Sequence, residues 1–248
     1  YGFLSSRDQD IQALVLTGQG FKRVRTPSLP PEASILHLDV RARLGKEPSL
    51  SMEAEERWTG LFASSYRRAF VTEGKRPEEW AKRLNRRYPG AQLKRVRFEG
   101  LDDLSPSATA HYAFSVPGRV HPEGDSLRVD LLYRSRLVES YTPRPTRRSD
   151  LFTMQSYRKE VSITLDLPAE LEVRSLPKDH SIDNDLLRYE VRWSQEGQQV
   201  RVRQNLVWKQ RLVPMARDAQ LRKMLMEADQ SEDQDLVLGR RRIALERL

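Results

Sequence analysis

The sequence predicts a mainly β chain of the α+β class: an antiparallel β-sandwich with an inserted helical hairpin and a C-terminal helix. Three observations predict it. Short alternating segments recur along the chain, separated by turn residues such as Pro117-Gly118 and Glu123-Gly124-Asp125. One stretch, about 60–88, breaks the alternation with apolar residues at helical spacing. A last apolar stripe, Leu221, Met224, Leu225 and Ala228, follows Pro214.

Residues 11–16 (Ile-Gln-Ala-Leu-Val-Leu) read as a short buried strand closed by Gly18 and Gly20. The stiff segment Thr26-Pro-Ser-Leu-Pro-Pro31 cannot join a central sheet and marks a boundary. Ile35, His37, Val40 and Ala42 lie in a strand-like stretch that should pair with residues 49–57 across the 45–48 turn. Leu61, Phe62, Tyr66, Ala69 and Phe70 then recur at helical spacing, with Gly74 just past the end. Pro77 opens a second helix, Glu78 and Glu79 suit its positive end, and Trp80, Leu84 and Tyr88 form its stripe before Pro89-Gly90.

Strands are expected at about 91–99, 107–116 and 126–134, then at 157–166, 170–176, 186–194 and 199–211. The last two should form a long hairpin across Ser194-Gln-Glu-Gly197, carrying Trp193 and Trp208. The expected organisation is a tail at 1–30, a β-rich subdomain at 31–140 and a basic Pro-rich connector at 141–150. Strands and a helix at 151–248 complete it, with their own core or in one sandwich with 31–140. No internal repeat is visible.

Apolar residues make up 38% and charged residues 31%, wetter than an average globular chain, yet the spread of aromatics argues against bulk disorder. The net charge of +8 is distributed over almost every expected strand. A thin spread of this kind reads as solvated faces rather than a polyanion groove. With no cysteine, the chain holds no disulfide, no thiolate nucleophile and no Cys-ligated zinc. No window approaches the roughly 18 apolar residues that span a bilayer. The start at Tyr1, without Met or a signal-peptide pattern, reads as a fragment or processed product.

Candidate chemistry is sparse. His37, His111, His121 and His180 lie at none of the short spacings that zinc favours, the first two in strands and the others in turns. The stretch Asp179-His-Ser-Ile-Asp-Asn-Asp185 offers hard oxygens for Ca²⁺ but lacks the glycine and distal Glu of an EF-hand loop. Its Asp and Asn suit turns for local reasons, and that reading stands ahead. No nucleophile elbow, phosphate-binding loop or dinucleotide fingerprint occurs, so no cofactor and no catalysis within the chain are expected. Arg144, Arg147 and Arg148 in the connector could grip an anionic polymer or lipid headgroup. Lys82, Arg83, Arg86 and Arg87 on the second helix could add to that grip, although solvated faces account for both clusters. Stacking aromatics are sparse beside them, so nucleic acid is not expected. Trp58, Trp80, Trp193 and Trp208 read as core before they read as a ligand groove.

Several stretches resemble a known arrangement. Tyr1-Gly-Phe-Leu, Gln12-Ala-Leu-Val-Leu16, Phe21 and Pro27 resemble the tail of a bacterial transglutaminase-like core. Val213 to Asp229 and Gln234-Asp-Leu-Val-Leu238 are similar to the end of the same proteins, which carry a domain of unknown function (DUF3857), that core and a β-rich C-terminal region. Tyr88-Pro-Gly-Ala-Gln92 and Asp102-Asp103-Leu104 agree in texture. The family's core uses a Cys-His-Asp triad, and without cysteine none of those roles transfers to a residue here. The resemblance therefore implies an accessory module whose partner is an upstream transglutaminase-like core or another protein, in a periplasmic or envelope location. That reading predicts an exposed apolar patch near residues 1–30. One rival is a binding module for an anionic envelope polymer or lipid surface. A second is a hydrolase whose site draws together distant His and Asp residues.

Overall fold

The computed structural model describes residues 4–45, 48–103, 105–132, 134–153 and 155–241. It is β-rich, as expected. The chain opens with a hairpin of β1 (Gln12–Thr17) and β2 (Gly20–Arg25), which pairs with no other strand among the described residues.

Next, β3 (Ile35–Leu44) and β4 (Ser49–Thr59) pair in register from Leu36↔Trp58 to Leu44↔Leu50. Alternation decides which face is buried: Leu36, Leu38, Val40 and Ala42 point inward with Leu50, Met52, Ala54 and Trp58. Gly60, at φ +55°, makes the turn into α1 (Gly60–Ala69). A Cβ there would lie 2.0 Å from the Ala33 carbonyl oxygen, so only glycine fits. Helix α2 (Arg76–Arg87) starts with Pro77 in its first turn, Glu78 and Glu79 behind it, and ends before Tyr88. Strands β5 (Gln92–Glu99) and β6 (Ser107–Pro117) extend the sheet from β4.

The chain continues through β7 (Val120–Glu123), β8 (Ser126–Val129), the short helix α3 (Leu137–Tyr141) and β9 (Leu151–Phe152). After the connector come β10 (Tyr157–Asp166), β11 (Leu171–Ser175), β12 (His180–Asp183), β13 (Leu187–Glu196), β14 (Gln199–Trp208) and β15 (Leu212–Val213). Helix α4 (Asp218–Glu232) and β16 (Leu236–Arg240) close the fold.

The main sheet has eight strands in the order β12-β13-β14-β10-β3-β4-β6-β5. Its pairs are antiparallel except β10 with β3, which run parallel from Arg158↔Ile35 to Asp166↔Arg43. Regions 31–140 and 151–241 therefore share one sheet. A second sheet, β11-β16-β8-β7, adds Val120, Val129, Leu171, Leu236 and Leu238 to the same core. Helices α1 and α2 cover the β4–β6 side, while α4 packs by β12 and carries α3. Trp58 stacks on Tyr66 at 3.8 Å, and Trp80 meets Tyr112 edge-on at 5.0 Å. The α4 stripe of Leu221, Met224, Leu225 and Ala228 is buried, and so are all four tryptophans.

Some expectations fail. The strand expected at 11–16 is Gln12–Thr17 and is not buried: only β2 pairs with it, and Leu14, Val15 and Leu16 stay exposed. The strand expected at 126–134 stops at Val129, where Asp130 turns to Arg119, and the one at 199–211 stops at Trp208. The expected turns around His121 and His180 are strands: His121 pairs with Arg128 within β7–β8, and His180–Asp183 pairs with Arg188–Val191 of β13. The antiparallel plan holds apart from one parallel joint, β10 with β3. Residues 1–3 and Leu104 of the resemblance motifs lie outside the described residues.

Candidate docking surface and charged sites

Strand β1 carries Ala13-Leu14-Val15-Leu16 without interruption, a pattern suited to a strand buried on both faces. Here neither face is covered. Leu14 is 64% exposed, Leu16 86% and Phe21 71%, and Leu16 lies opposite Phe21 at the tip. Lys22, Arg23 and Arg25 on β2 set a basic rim beside them. The base is firmly held: Thr26 N–H donates to the Ile11 carbonyl at 2.9 Å, and Arg25 meets Asp10 at 2.7 Å. Buried Gln9 accepts from Leu29 N–H through its side chain and from Arg211 through its carbonyl. A two-stranded ribbon is marginally stable alone in water. This one is an anchored projection with apolar faces and two open edges.

The seven basic residues singled out in the sequence do not form one surface. Lys82 is spent on Glu78 (2.7 Å) and Glu79 (3.0 Å). Arg83 lies over the Tyr66 ring at 4.3 Å and donates to its hydroxyl. Arg87 turns inward to Glu56 at 2.7 Å. Arg147 grips Asp218 at 2.5 Å and reaches the Val213 and Pro214 carbonyls, strapping the connector to the start of α4. Arg86, Arg144 and Arg148 are exposed. Arg86 and Arg87 line one hollow, while Arg144, Arg147 and Arg148 line another.

A buried charge network escaped the sequence reading. Glu56, fully buried on the inner sheet face, accepts from Trp58 Nε1 (2.9 Å), Tyr66 (2.8 Å), Arg87 (2.7 Å) and Tyr112 (3.2 Å). Burial alone would raise its pKa, but Arg87 and these donors hold it at about 2. Across the sheet, burial pushes Glu232 of α4 up to about 7, against the donors Ser135 N–H and Gln204. Lys159 of β10, half-buried, is lowered to about 8 by its desolvated setting and by the cation of Arg87. A signal was present: Glu56, Lys159 and Gln204 each occupy an inward position in a strand whose other inward residues are apolar or aromatic.

Histidines and acids are otherwise engaged. His37 sits on the open sheet face between Glu160 (2.9 Å) and Asp39 (2.6 Å); partial burial opposes its protonation, and the two carboxylates outweigh it and raise its pKa. His111 lies between Glu55 and Glu99, and His121 is exposed on β7. Asp183 pairs with Lys209 and Arg188, Asp185 with Arg217, and Asp179 caps Trp193 N–H. Among the described residues, no three His, Asp or Glu side chains converge as metal ligands would. No helix among them is long and apolar enough to cross a membrane.

Comparison with known proteins adds little. No curated protein sequence matches the chain. A candidate protease from Parabacteroides distasonis shares 12% identity over 39% of this chain and 19% of its own, with a TM-score of 0.35. An M1 zinc metallopeptidase point mutant from Deinococcus radiodurans, bound to a Tyr-Ser-Ala substrate, shares 12% identity over 86% of this chain and 44% of its own, with a TM-score of 0.28. The chain thus spans less than half of either structure, and at these TM-scores neither carries an argument. Residues 129–238, from the end of β8 into β16, match a domain of unknown function with a solved structure, DUF3858.

Proposed function

We propose that this chain is a non-catalytic accessory module that docks onto another folded protein domain through the β1–β2 hairpin. The observation that carries the reading is the uncovered run Ala13-Leu14-Val15-Leu16 facing Phe21, a strand composed for burial and held out on a rigid base. Apolar patches of this kind mark interaction sites. The partner must offer an apolar surface with an acidic rim for Lys22, Arg23 and Arg25. The resemblance of this segment to the tail of a transglutaminase-like core makes such a core, upstream in the same polypeptide or on a separate protein, the natural occupant. Under this reading the buried charges around Glu56 and Glu232 hold the fold together rather than turn over a substrate.

A photo-reactive residue in place of Leu16, introduced into the protein in its native cell, tests the proposal. The expected result is an adduct to a discrete protein segment, lost when Phe21 is replaced by Asp and absent when the probe stands at Arg95 on the open sheet face. Adducts to lipid alone, or none, would overturn it.

A further inference from the structure

We propose that the arginine-lined cleft between the end of α2 and the 130–140 segment binds a small phosphate-bearing ligand. The cleft, about 470 Å³, gathers Arg86 and Arg87 from α2, Arg119 from the turn after β6, and Arg134 and Arg136 from the segment after β8. Its volume is that of a small-molecule site rather than a polymer groove. Within the lining Asp130 and Glu139 oppose these arginines, and behind it Glu56 neutralises Arg87 at 2.7 Å. A helix C-terminus attracts basic residues for its own sake, which accounts for Arg86 and Arg87. It does not account for three more arginines arriving from other segments.

The cations are held in place and not all consumed. Asp130 grips Arg119 at 2.6 Å and Arg134 at 3.3 Å, while Arg119 also donates to the Leu132 carbonyl at 3.2 Å and Arg134 meets Asp233 at 3.3 Å, so each fork keeps only part of its N–H groups for a second acceptor. Arg86 has no hydrogen-bond or ion-pair partner among the described residues. Arg136 touches Glu139 only at 3.5 Å and its side chain is 71% exposed. Its backbone sits at φ +49°, a left-handed conformation that a side chain disfavours. That conformation is clamped from both sides by α4: Glu232 accepts Ser135 N–H, and Asp229 accepts Leu137 N–H at 2.7 Å and Val138 N–H at 2.9 Å. The fold thus fixes the backbone that carries Arg136 at the edge of a hollow that already holds cations.

Chemistry selects the ligand. Guanidinium forks bind phosphate through paired charge-assisted hydrogen bonds, and Ser140 on the same wall adds a hydroxyl donor. The adjoining hollow beyond Arg134 and Arg136 is lined by Asp229, Glu232 and Asp233, so an anion is confined to the α2 side. The phosphate could belong to a soluble molecule or to a lipid headgroup.

The test is a titration of the isotope-labelled chain with inorganic phosphate at constant ionic strength, followed by amide shifts. Saturable shifts centred on Arg86, Arg119, Ser135 and Arg136 are expected, weakened at least tenfold by R86A with R136A. Both side chains are exposed, so that double variant should melt with the parent. The control pair R144A with R148A should bind as the parent does. Co-sedimentation with phosphatidylcholine vesicles containing phosphatidic acid, lost in R86A/R136A, assigns the phosphate to a lipid. Saturable binding without co-sedimentation assigns it to a soluble ligand. Shifts that match an equal addition of chloride, or that survive R86A/R136A, overturn the proposal.

Discussion

Two hairpins near the start of the chain, β1–β2 and β3–β4, are built from similar residues and meet opposite fates. In β3–β4 the apolar side chains fall on one face, Leu36, Leu38, Val40 and Ala42 beside Leu50, Met52 and Trp58, and that face is sealed by helices. The other face carries His37, Asp39, Arg41 and Glu53, which water solvates. In β1–β2 both faces are apolar, with Leu14, Leu16 and Phe21 on one and Val15 on the other, and both are open. A strand buried on one face alternates, and a strand buried on two does not. The difference teaches that β1 is composed for a setting the remaining described residues do not provide.

The largest test of that contrast lies at the centre of β4. Glu56→Gln should destabilise the chain by about 3–5 kcal/mol in urea unfolding, because Arg87 would keep its desolvated position without a counter-charge. A loss below about 1 kcal/mol would mean that the site is wetter than the structure indicates. The sign with pH is worked from the folded pKa of about 2. The stabilisation from Glu56 is complete above its ordinary value near 4.5 and is lost as pH falls through 2.

A matched truncation gives the next effect. Leu38→Ala, in β3, should cost about 2–5 kcal/mol, whereas Leu14→Ala, in β1, should stay within about 0.5 kcal/mol. Once the proposed partner is bound, Leu14→Ala should instead weaken the complex. Equal costs in the free chain would erase the contrast between the hairpins.

The smallest effect concerns Glu232, which titrates in the opposite sense to Glu56. Its pKa is raised from 4.5 to about 7, so its contribution is present below 4.5 and is lost as pH rises through 7. Stability should fall by at most about 3 kcal/mol across that window, and by less because Lys159 compensates. Glu232→Gln should flatten the decline, and unfolding midpoints at pH 4.5, 6 and 7.5 check it.

Much of this architecture was legible because it follows from local rules. The Pro77 start of α2, the alternation in β3 and β10, and the stripe on α4 each state their element outright. What local rules could not give was long-range. Nothing between Ile35 and Arg158 announces that their strands lie side by side. Short strands such as β9, of two residues, and β12, of four, have too little pattern to read. The candidate cleft was half visible: Arg86 and Arg87 stood out as a helical cluster. Arg119, Arg134 and Arg136 come from segments that only the folded chain assembles.

The parallel joint between β10 and β3 also shapes how the chain must fold. The pairs β3–β4, β5–β6 and β13–β14 can form from hairpin-range contacts, and β4 joins β6 across the helical pair. Closing the joint brings together residues more than a hundred positions apart, as Ile35 and Arg158 show. Loop-closure entropy makes that step late and slow. Until it happens, each half offers an unpaired central edge, which makes the interval before closure the moment of greatest risk of misassembly. A chain still emerging from the ribosome must therefore wait, with β3 open, until residues beyond the connector arrive.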